Sequence, residues 1–385
     1  MVRTVISYGK QSIDNDDIEA VVEVLKSDYL TQGPSSRLFE EALFDYCGSR
    51  YACVLNSGTS ALYTAYKSLG LKHGKVLWTT PISFVATSNA ALSCGANVDF
   101  VDISPDNGNM DMNALQLKLS ESTEPPDFVV PVHFAGVPCD MITLNGLAKQ
   151  YDFMIIEDAS HALGAEYAGQ KIGDCSYSDA CVFSFHPIKS IACGEGGAVL
   201  TNDSETDARV RSIANNGIRK LEDESSPWRY EQIMLGHNFR MSDIHAALGI
   251  SQMRKLDEFI RKRREISLKY LDLLDGLPIS MPTGDEIMKS ACHLFVIRLD
   301  DSLLSYRSDL YRLLHQRGVG VQVHYIPIHT QPYYQELGFR IGSFPEAEKF
   351  YSSVLSLPVF PDLTDEQQNY IVASFREAIE RYQSL

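Results

Sequence analysis

The chain has 385 residues, too many for one simple core and enough for two or three ordinary domains. Hydrophobic residues make up 44% and charged residues 22%, a globular balance that excludes a disordered or fibrous chain. With 34 basic against 50 acidic residues the formal net charge is −16, which argues against nucleic acid or an anionic membrane as a partner.

Met1 to Asp16 carries no basic start followed by an apolar core, so no secretory leader is expected. Nowhere do about 18 apolar residues run together, so no membrane span is expected either. The cysteines, Cys47, Cys53, Cys94, Cys139, Cys175, Cys181, Cys193 and Cys292, form no C-x-x-C pair. Several sit in apolar runs and read as buried, reduced thiols of a cytoplasmic protein.

In chain order, apolar runs predict strands at Tyr51–Leu55, Val76–Thr80, Asn97–Asp102, Phe128–His133, Phe153–Glu157, Ala180–Phe185 and Gly197–Thr201. Most are apolar on both faces, as strands covered by helices on each side should be. The stretches between them, such as Thr59–Lys67 and Phe84–Cys94, have helical length and period. Together they predict an α/β domain with a sheet of about seven strands. Only 11 residues separate Phe185 from Gly197, too few for a parallel crossover with a helix. The last two strands should therefore be antiparallel neighbours in a mixed sheet, with Lys189 on the loop between them.

From Ser242 the pattern changes. Ser242 is placed to cap one long helix running to about Leu274 and ending before Gly276 and Pro278. Beyond it come strand-like His293–Leu299, helical Tyr306–Arg317, strand-like Gly320–Tyr325 and a terminal helix from Thr364. The expected division is residues 1–241, a large α/β domain with an N-terminal arm, and 242–385, a bridging helix with a smaller α+β domain.

Three stretches carry chemistry. Asn56-Ser57-Gly58-Thr59-Ser60 joins a strand to a helix and offers amides, small hydroxyls and a helix N-terminus, the materials of a phosphate site. Glu157-Asp158-Ala159-Ser160-His161 puts a carboxylate and an imidazole at a strand end, where open α/β sheets bind ligands. A lone loop lysine is usually solvated. Lys189, by contrast, follows the apolar Ala180–Phe185 run and precedes Gly194-Glu195-Gly196-Gly197, so it is held near the sheet with a lowered pKa and a nucleophilic amine. Glu195 itself reads as a structural turn residue. No Walker loop or G-x-G-x-x-G stands at a first strand turn. Phosphate cradle, acid and amine form the set that pyridoxal 5′-phosphate needs.

These residues lie in longer motifs: Asn56-Ser57-Gly58-Thr59-Ser60-Ala61-Leu62, Thr80-Pro81-Ile82-Ser83-Phe84-Val85-Ala86-Thr87, Glu157 to Ala165, Phe183-Ser184-Phe185-His186-Pro187-Ile188-Lys189, Gly196 to Asp203 and Gly236-His237-Asn238-Phe239-Arg240-Met241. In this order and over nearly the whole chain they resemble the DegT/DnrJ/EryC1/StrS sugar aminotransferases. The resemblance implies the fold of type I pyridoxal-phosphate aminotransferases. Lys189 would carry the cofactor, Asp158 would pair with its ring nitrogen, and His161 would contact the ring or its phenolic oxygen. Phe84 would stack on the ring, and Gly58, Thr59 and Ser184 would bind the phosphate. Asn238 would also bind the phosphate, reaching across from a partner subunit in a homodimer with shared active sites. Tyr8, Asp28, Tyr29, Leu30, Thr31, His324 and Tyr325 would contact a nucleotide-sugar. The implied reaction moves an amino group from L-glutamate to C4 of a UDP-linked 4-keto-6-deoxy sugar, with no metal. Three alternatives are an aminotransferase for another nucleotide-linked keto-sugar at C4 or C3, a dehydratase on the same cofactor, and a non-catalytic cofactor-binding regulator. In the dehydratases of this family His replaces the lysine, whereas Lys189 stands here.

Overall fold

A computed structural model describes residues 5–221 and 225–383. Seven strands form the central sheet: β1 Tyr51–Leu55, β2 Val76–Thr79, β3 Asn97–Phe100, β4 Phe128–Val130, β5 Met154–Asp158, β6 Ala180–Ser184 and β7 Gly197–Thr201. Their lateral order is β1-β7-β6-β5-β4-β2-β3. All pairs are parallel except those of β7, which runs antiparallel to β6 and to β1. The short link after Ser184 thus makes the tight return expected of it, pairing Ser184 with Gly197 and Cys181 with Leu200.

Side chains alternate across this sheet, so each face has its own core. Cys181, Phe183 and Leu200 pack with Phe39, Leu43 and Ile260 on one face. Ala180, Val182 and Val199 pack with Ala61, Leu62, Ala65 and Tyr66 on the other. The latter four lie on a helix that begins at Gly58, where Ser57 accepts the amide of Ser60 at 3.1 Å and so starts the first turn. Burying a side chain such as Tyr66 or Phe183 contributes about 1.5–3 kcal/mol each.

A second core gathers Ile266, Tyr270, Phe295, Leu310, Leu355 and Phe375. Its sheet is antiparallel, β8 Ile279–Ser280, β9 Phe295–Leu299 and β10 Val354–Leu357, in that lateral order. Ile6 from the N-terminal segment joins this core, with its amide on the Gly318 carbonyl at 2.8 Å and its carbonyl on the Gly320 amide at 2.7 Å. Among the described residues, no helix is long and apolar enough to cross a membrane.

Two expectations need correction. The long helix from Ser242 is two helices, Asp243–Met253 and Leu256–Leu274, broken at Arg254 and Lys255. No Gly or Pro marks the break. Lys255 instead turns out to meet Asp14 at 2.8 Å and Asp17 at 2.6 Å, on the cap and first turn of the helix Asn15–Lys26. Gly320–Tyr325 is not a ladder strand either: only Gln322 bridges to Ser356, and the chain then leaves the sheet.

Candidate active site

Because β1, β2, β5 and β6 are parallel, their C-terminal ends share one edge of the sheet, and the loops beyond them enclose a cavity of about 440 Å³. Gly58 opens the helix after β1. A Cβ there would sit 2.9 Å from the Ser184 Cβ, so the missing side chain lets the helix N-terminus and the Ser184 hydroxyl approach each other. The leading amides at Gly58 and Thr59, unused within a helix, and that hydroxyl face the cavity as an anion cradle.

Asp158, the last residue of β5, is 4% exposed. Thr87 donates its hydroxyl to Oδ2 at 2.6 Å, while Ser160 donates its hydroxyl to Oδ1 at 2.6 Å and its amide at 3.1 Å. Three donors therefore fix the carboxylate plane. Glu157 points to the opposite side of the strand, where its Oε2 takes the Nε2–H of buried His133 at 2.7 Å. The His133 tautomer follows from its Nδ1, which accepts the Cys139 amide at 3.0 Å.

Lys189 lies at the cavity wall on the β6–β7 loop, its amide on the His186 carbonyl at 2.8 Å. Burial lowers its pKa to about 8, against the pull of Asp158 in the other direction. His161 is 5% exposed; burial, with Lys189 and His324 adding, holds its pKa well below the usual value, so the ring is neutral. Its Nε2 meets the Tyr325 hydroxyl at 3.2 Å, and its buried Nδ1 has no partner. Phe84 borders the cavity and is 60% exposed, its ring tilted against Tyr325 with centroids 6.4 Å apart.

The second core supplies the remaining wall. His324 is buried, its Nδ1 against the Ser356 hydroxyl at 2.8 Å, and burial together with Lys189 lowers its pKa to about 3. Tyr8 packs on His324 with ring centroids 5.3 Å apart. Burial raises the phenols of Tyr8 and Tyr325, so both remain neutral donors.

Of the residues expected from the sequence, Tyr8, Gly58, Thr59, Phe84, Asp158, His161, Ser184, Lys189, His324 and Tyr325 line this one cavity. Asn238 does not; it is exposed and its backbone bridges to Asn215. Asp28, Tyr29, Leu30 and Thr31 are exposed elsewhere, where Leu30 accepts the Asp243 amide at 3.0 Å and Thr31 bridges to Ser242. Glu195, read as a turn residue, borders the cavity, as does His186. Thr87 and Ser160 received no role from the sequence. Their signal is spacing: Ser160 stands two residues after an acid at a strand end, the pattern of an Asx turn, and Thr87 one helical turn after Phe84.

An aromatic aldehyde bearing a phosphate suits this donor set. The cradle takes a dianion, the carboxylate a protonated ring nitrogen, the amine an aldehyde, the open Phe84 face a ring, and the orphaned His161 nitrogen a polar ring substituent.

Comparison with known proteins agrees. Residues 11–376 match the DegT/DnrJ/EryC1/StrS aminotransferase family. A Campylobacter jejuni protein named UDP-4-amino-4,6-dideoxy-N-acetyl-beta-L-altrosamine transaminase is 39% identical over 377 residues, 98% of each chain. The solved Helicobacter pylori PseC, an aminotransferase involved in the biosynthesis of pseudoaminic acid, superposes with a TM-score of 0.91 at 36% identity, covering 98% of this chain and all of that one. The PLP form of a sugar aminotransferase from Streptococcus pneumoniae, Spr1654, superposes with a TM-score of 0.90 at 26% identity, covering 98% of this chain and 99% of that one. Cavity chemistry and likeness thus converge, and the chain belongs to the DegT/DnrJ/EryC1/StrS aminotransferase family as a pyridoxal-phosphate-dependent enzyme.

Proposed function

We propose that this enzyme moves an amino group from L-glutamate to C4 of UDP-2-acetamido-2,6-dideoxy-β-L-arabino-hex-4-ulose, giving UDP-4-amino-4,6-dideoxy-N-acetyl-β-L-altrosamine on the way to pseudaminic acid. The observation that carries the chemistry is that one cavity brings together the Lys189 amine, the Asp158 carboxylate and the cradle of Gly58, Thr59 and Ser184. The choice of sugar is supported by the name of the Campylobacter relative and the description of the Helicobacter structure.

When bound, pyridoxal phosphate supplies an aldehyde for the amine and a ring that accepts an electron pair from the donor Cα. In this reading Lys189 holds it through Nζ, and Gly58, Thr59 and Ser184 hold its phosphate. Asp158 would pair with the ring nitrogen, Phe84 would stack on one face, and His161, whose Nδ1 has no partner in the protein, would contact the ring or its phenolic oxygen. Once the donor amine has displaced it from the aldehyde carbon, the freed Lys189 Nζ would take the Cα proton and later give it up, a transfer favoured by a pKa near the working pH. Thr87 and Ser160 keep the carboxylate in its plane during that transfer. Tyr8, His324 and Tyr325 border the nucleotide-sugar.

The reading includes a homodimer. Trp228 at 76%, Tyr230 at 60% and Leu235 at 72% exposure, in the segment that leads to Asn238, are large apolar side chains left open to a partner. Asn238 and Asp28–Thr31, outside their own cavity, serve a site only if a second copy brings them to it. A cytoplasmic location fits eight buried, free cysteines. The reading also divides the chain into residues 1–241 and 242–385: Ala246, Met253, Leu256 and Ile260 at the start of the second part still pack on the core of the first, and from Ile266 onward the bridging segment joins the second core, to which the N-terminal arm crosses through Ile6.

Mass spectrometry of the nucleotide-sugar, after incubation with enzyme, cofactor and L-glutamate, tests the assignment. The expected result is conversion of the 4-ketone to the 4-amine. An untouched keto-sugar, beside enzyme that still reacts with glutamate, would reject this sugar and leave aminotransfer standing.

A further inference from the structure

Arg263, on the helix Leu256–Leu274, is 1% exposed and heads the fully buried side chains by volume. A guanidinium removed from water ordinarily faces a carboxylate, since an unpaired buried charge is costly. The partners of Arg263 are instead backbone carbonyls. Nη1 donates to Val359 at 2.9 Å and reaches Cys292 at 3.4 Å and His293 at 3.5 Å. Nη2 reaches Ile188 at 3.5 Å and Lys189 at 3.4 Å, and Nε has no partner.

These carbonyls come from three distant parts of the chain: the loop carrying Lys189, the approach to β9, and the turn after β10. The amide side of Lys189 is held within its own loop, by His186 at 2.8 Å. Its carbonyl side is met by a side chain rooted in another helix, which at the same time grips the second core. Burial lowers the guanidinium pKa only to about 10, so the group keeps its charge at neutral pH.

We propose that Arg263 is a positioning residue for Lys189. Its planar fork ties the carbonyl side of the lysine loop to the second core and so sets how deeply the amine is buried. A lysine in its place keeps the charge but cannot span carbonyls from three segments, because an ammonium is a point donor. The inference rests on the reading of Lys189 as the working amine.

The test uses cofactor-free full-length protein, so it does not depend on turnover. Trinitrobenzenesulfonate labels amines in their neutral form, and peptide mass spectrometry across a pH series reads the labelling midpoint of Lys189, with exposed Lys149 as internal reference. In the unaltered chain the Lys189 midpoint should lie near 8. In Arg263→Met and Arg263→Lys it should move up by about one pH unit or more, as the loop relaxes and the amine regains water. A residue that merely stabilises the junction lowers the melting temperature and leaves the midpoint in place, which would overturn the proposal. Failure of both variants to fold, judged by circular dichroism, would assign Arg263 to stability alone and overturn it too. If Lys189 of the unaltered chain labels like Lys149, there is no buried amine for Arg263 to set. That result is separate from the spectral response to glutamate, which tests Lys189 as the amine that carries the cofactor.

Discussion

On one side of the cavity, Gly58, Phe84, Asp158, Ser184 and Lys189 each stand at a strand end or within about five residues beyond it, whereas on the other side Tyr8, His324 and Tyr325 come from segments in no ladder. Sheet register and short hydrogen bonds fix the first wall: Ser184 opposite Gly197, Asp158 braced by Thr87 and Ser160. Long-range packing fixes the second, through Ile6 against Gly318 and His324 against Ser356. The difference teaches that this chain writes the cofactor wall in contiguous motifs and assembles the substrate wall from a separate core. Changes to the first wall should therefore cost chemistry, and changes to the second should cost substrate recognition.

Lys189→Ala should break the first wall most severely. Turnover should fall by at least about 10³-fold with the circular dichroism spectrum unchanged, because the amine assigned to the Cα proton is gone. Multiple turnovers by this variant would refute the assignment. Asp158→Asn should follow, losing about 10²-fold in kcat while cofactor absorbance is retained, as the charge opposite the ring nitrogen is neutralised. Near-normal kcat would remove Asp158 from the electron-sink role.

Lys189 also sets a pH signature in the cofactor-free protein. Its folded value of about 8 lies below the ordinary 10.5, so between those limits the unfolded chain holds a proton that the folded chain has released. Stability from this group is therefore smallest below about 8 and rises with pH up to about 10.5. Melting temperatures measured across that window should lose this rise in Lys189→Met; identical pH profiles would contradict a buried amine.

The smallest expected effect lies on the second wall. Ser356→Ala removes the hydroxyl against His324 Nδ1 and should raise KM for the nucleotide-sugar by about 3–10-fold, the worth of one hydrogen bond. The glutamate half of the reaction should not change. Equal losses in both halves would dissolve the contrast between the walls.

What was legible in the sequence follows the same contrast. The 11-residue link after Phe185 was enough to make β7 antiparallel, because a crossover helix does not fit in it. Short apolar runs, apolar on both faces, located the strands, and the motifs at their ends located the cofactor wall. The break at Arg254 and Lys255 was invisible, since it turns on ion pairs with Asp14 and Asp17 some 240 residues earlier and on no helix breaker. Gly320–Tyr325 reads as a strand by composition, yet tertiary packing takes His324 and Tyr325 to the cavity instead of a ladder. Thr87 and Ser160 went unassigned because a hydroxyl that braces a carboxylate looks, in sequence, like a helix or turn residue.

The most direct test of a Lys189-centred transaminase is an absorbance spectrum of the purified protein with pyridoxal phosphate, before and after L-glutamate, beside Lys189→Ala. The account predicts a visible band that glutamate bleaches in the unaltered enzyme and that 2-oxoglutarate restores, with no restored cycle in the variant. A protein that stays colourless with added pyridoxal phosphate, or a variant that cycles like the unaltered enzyme, would contradict it.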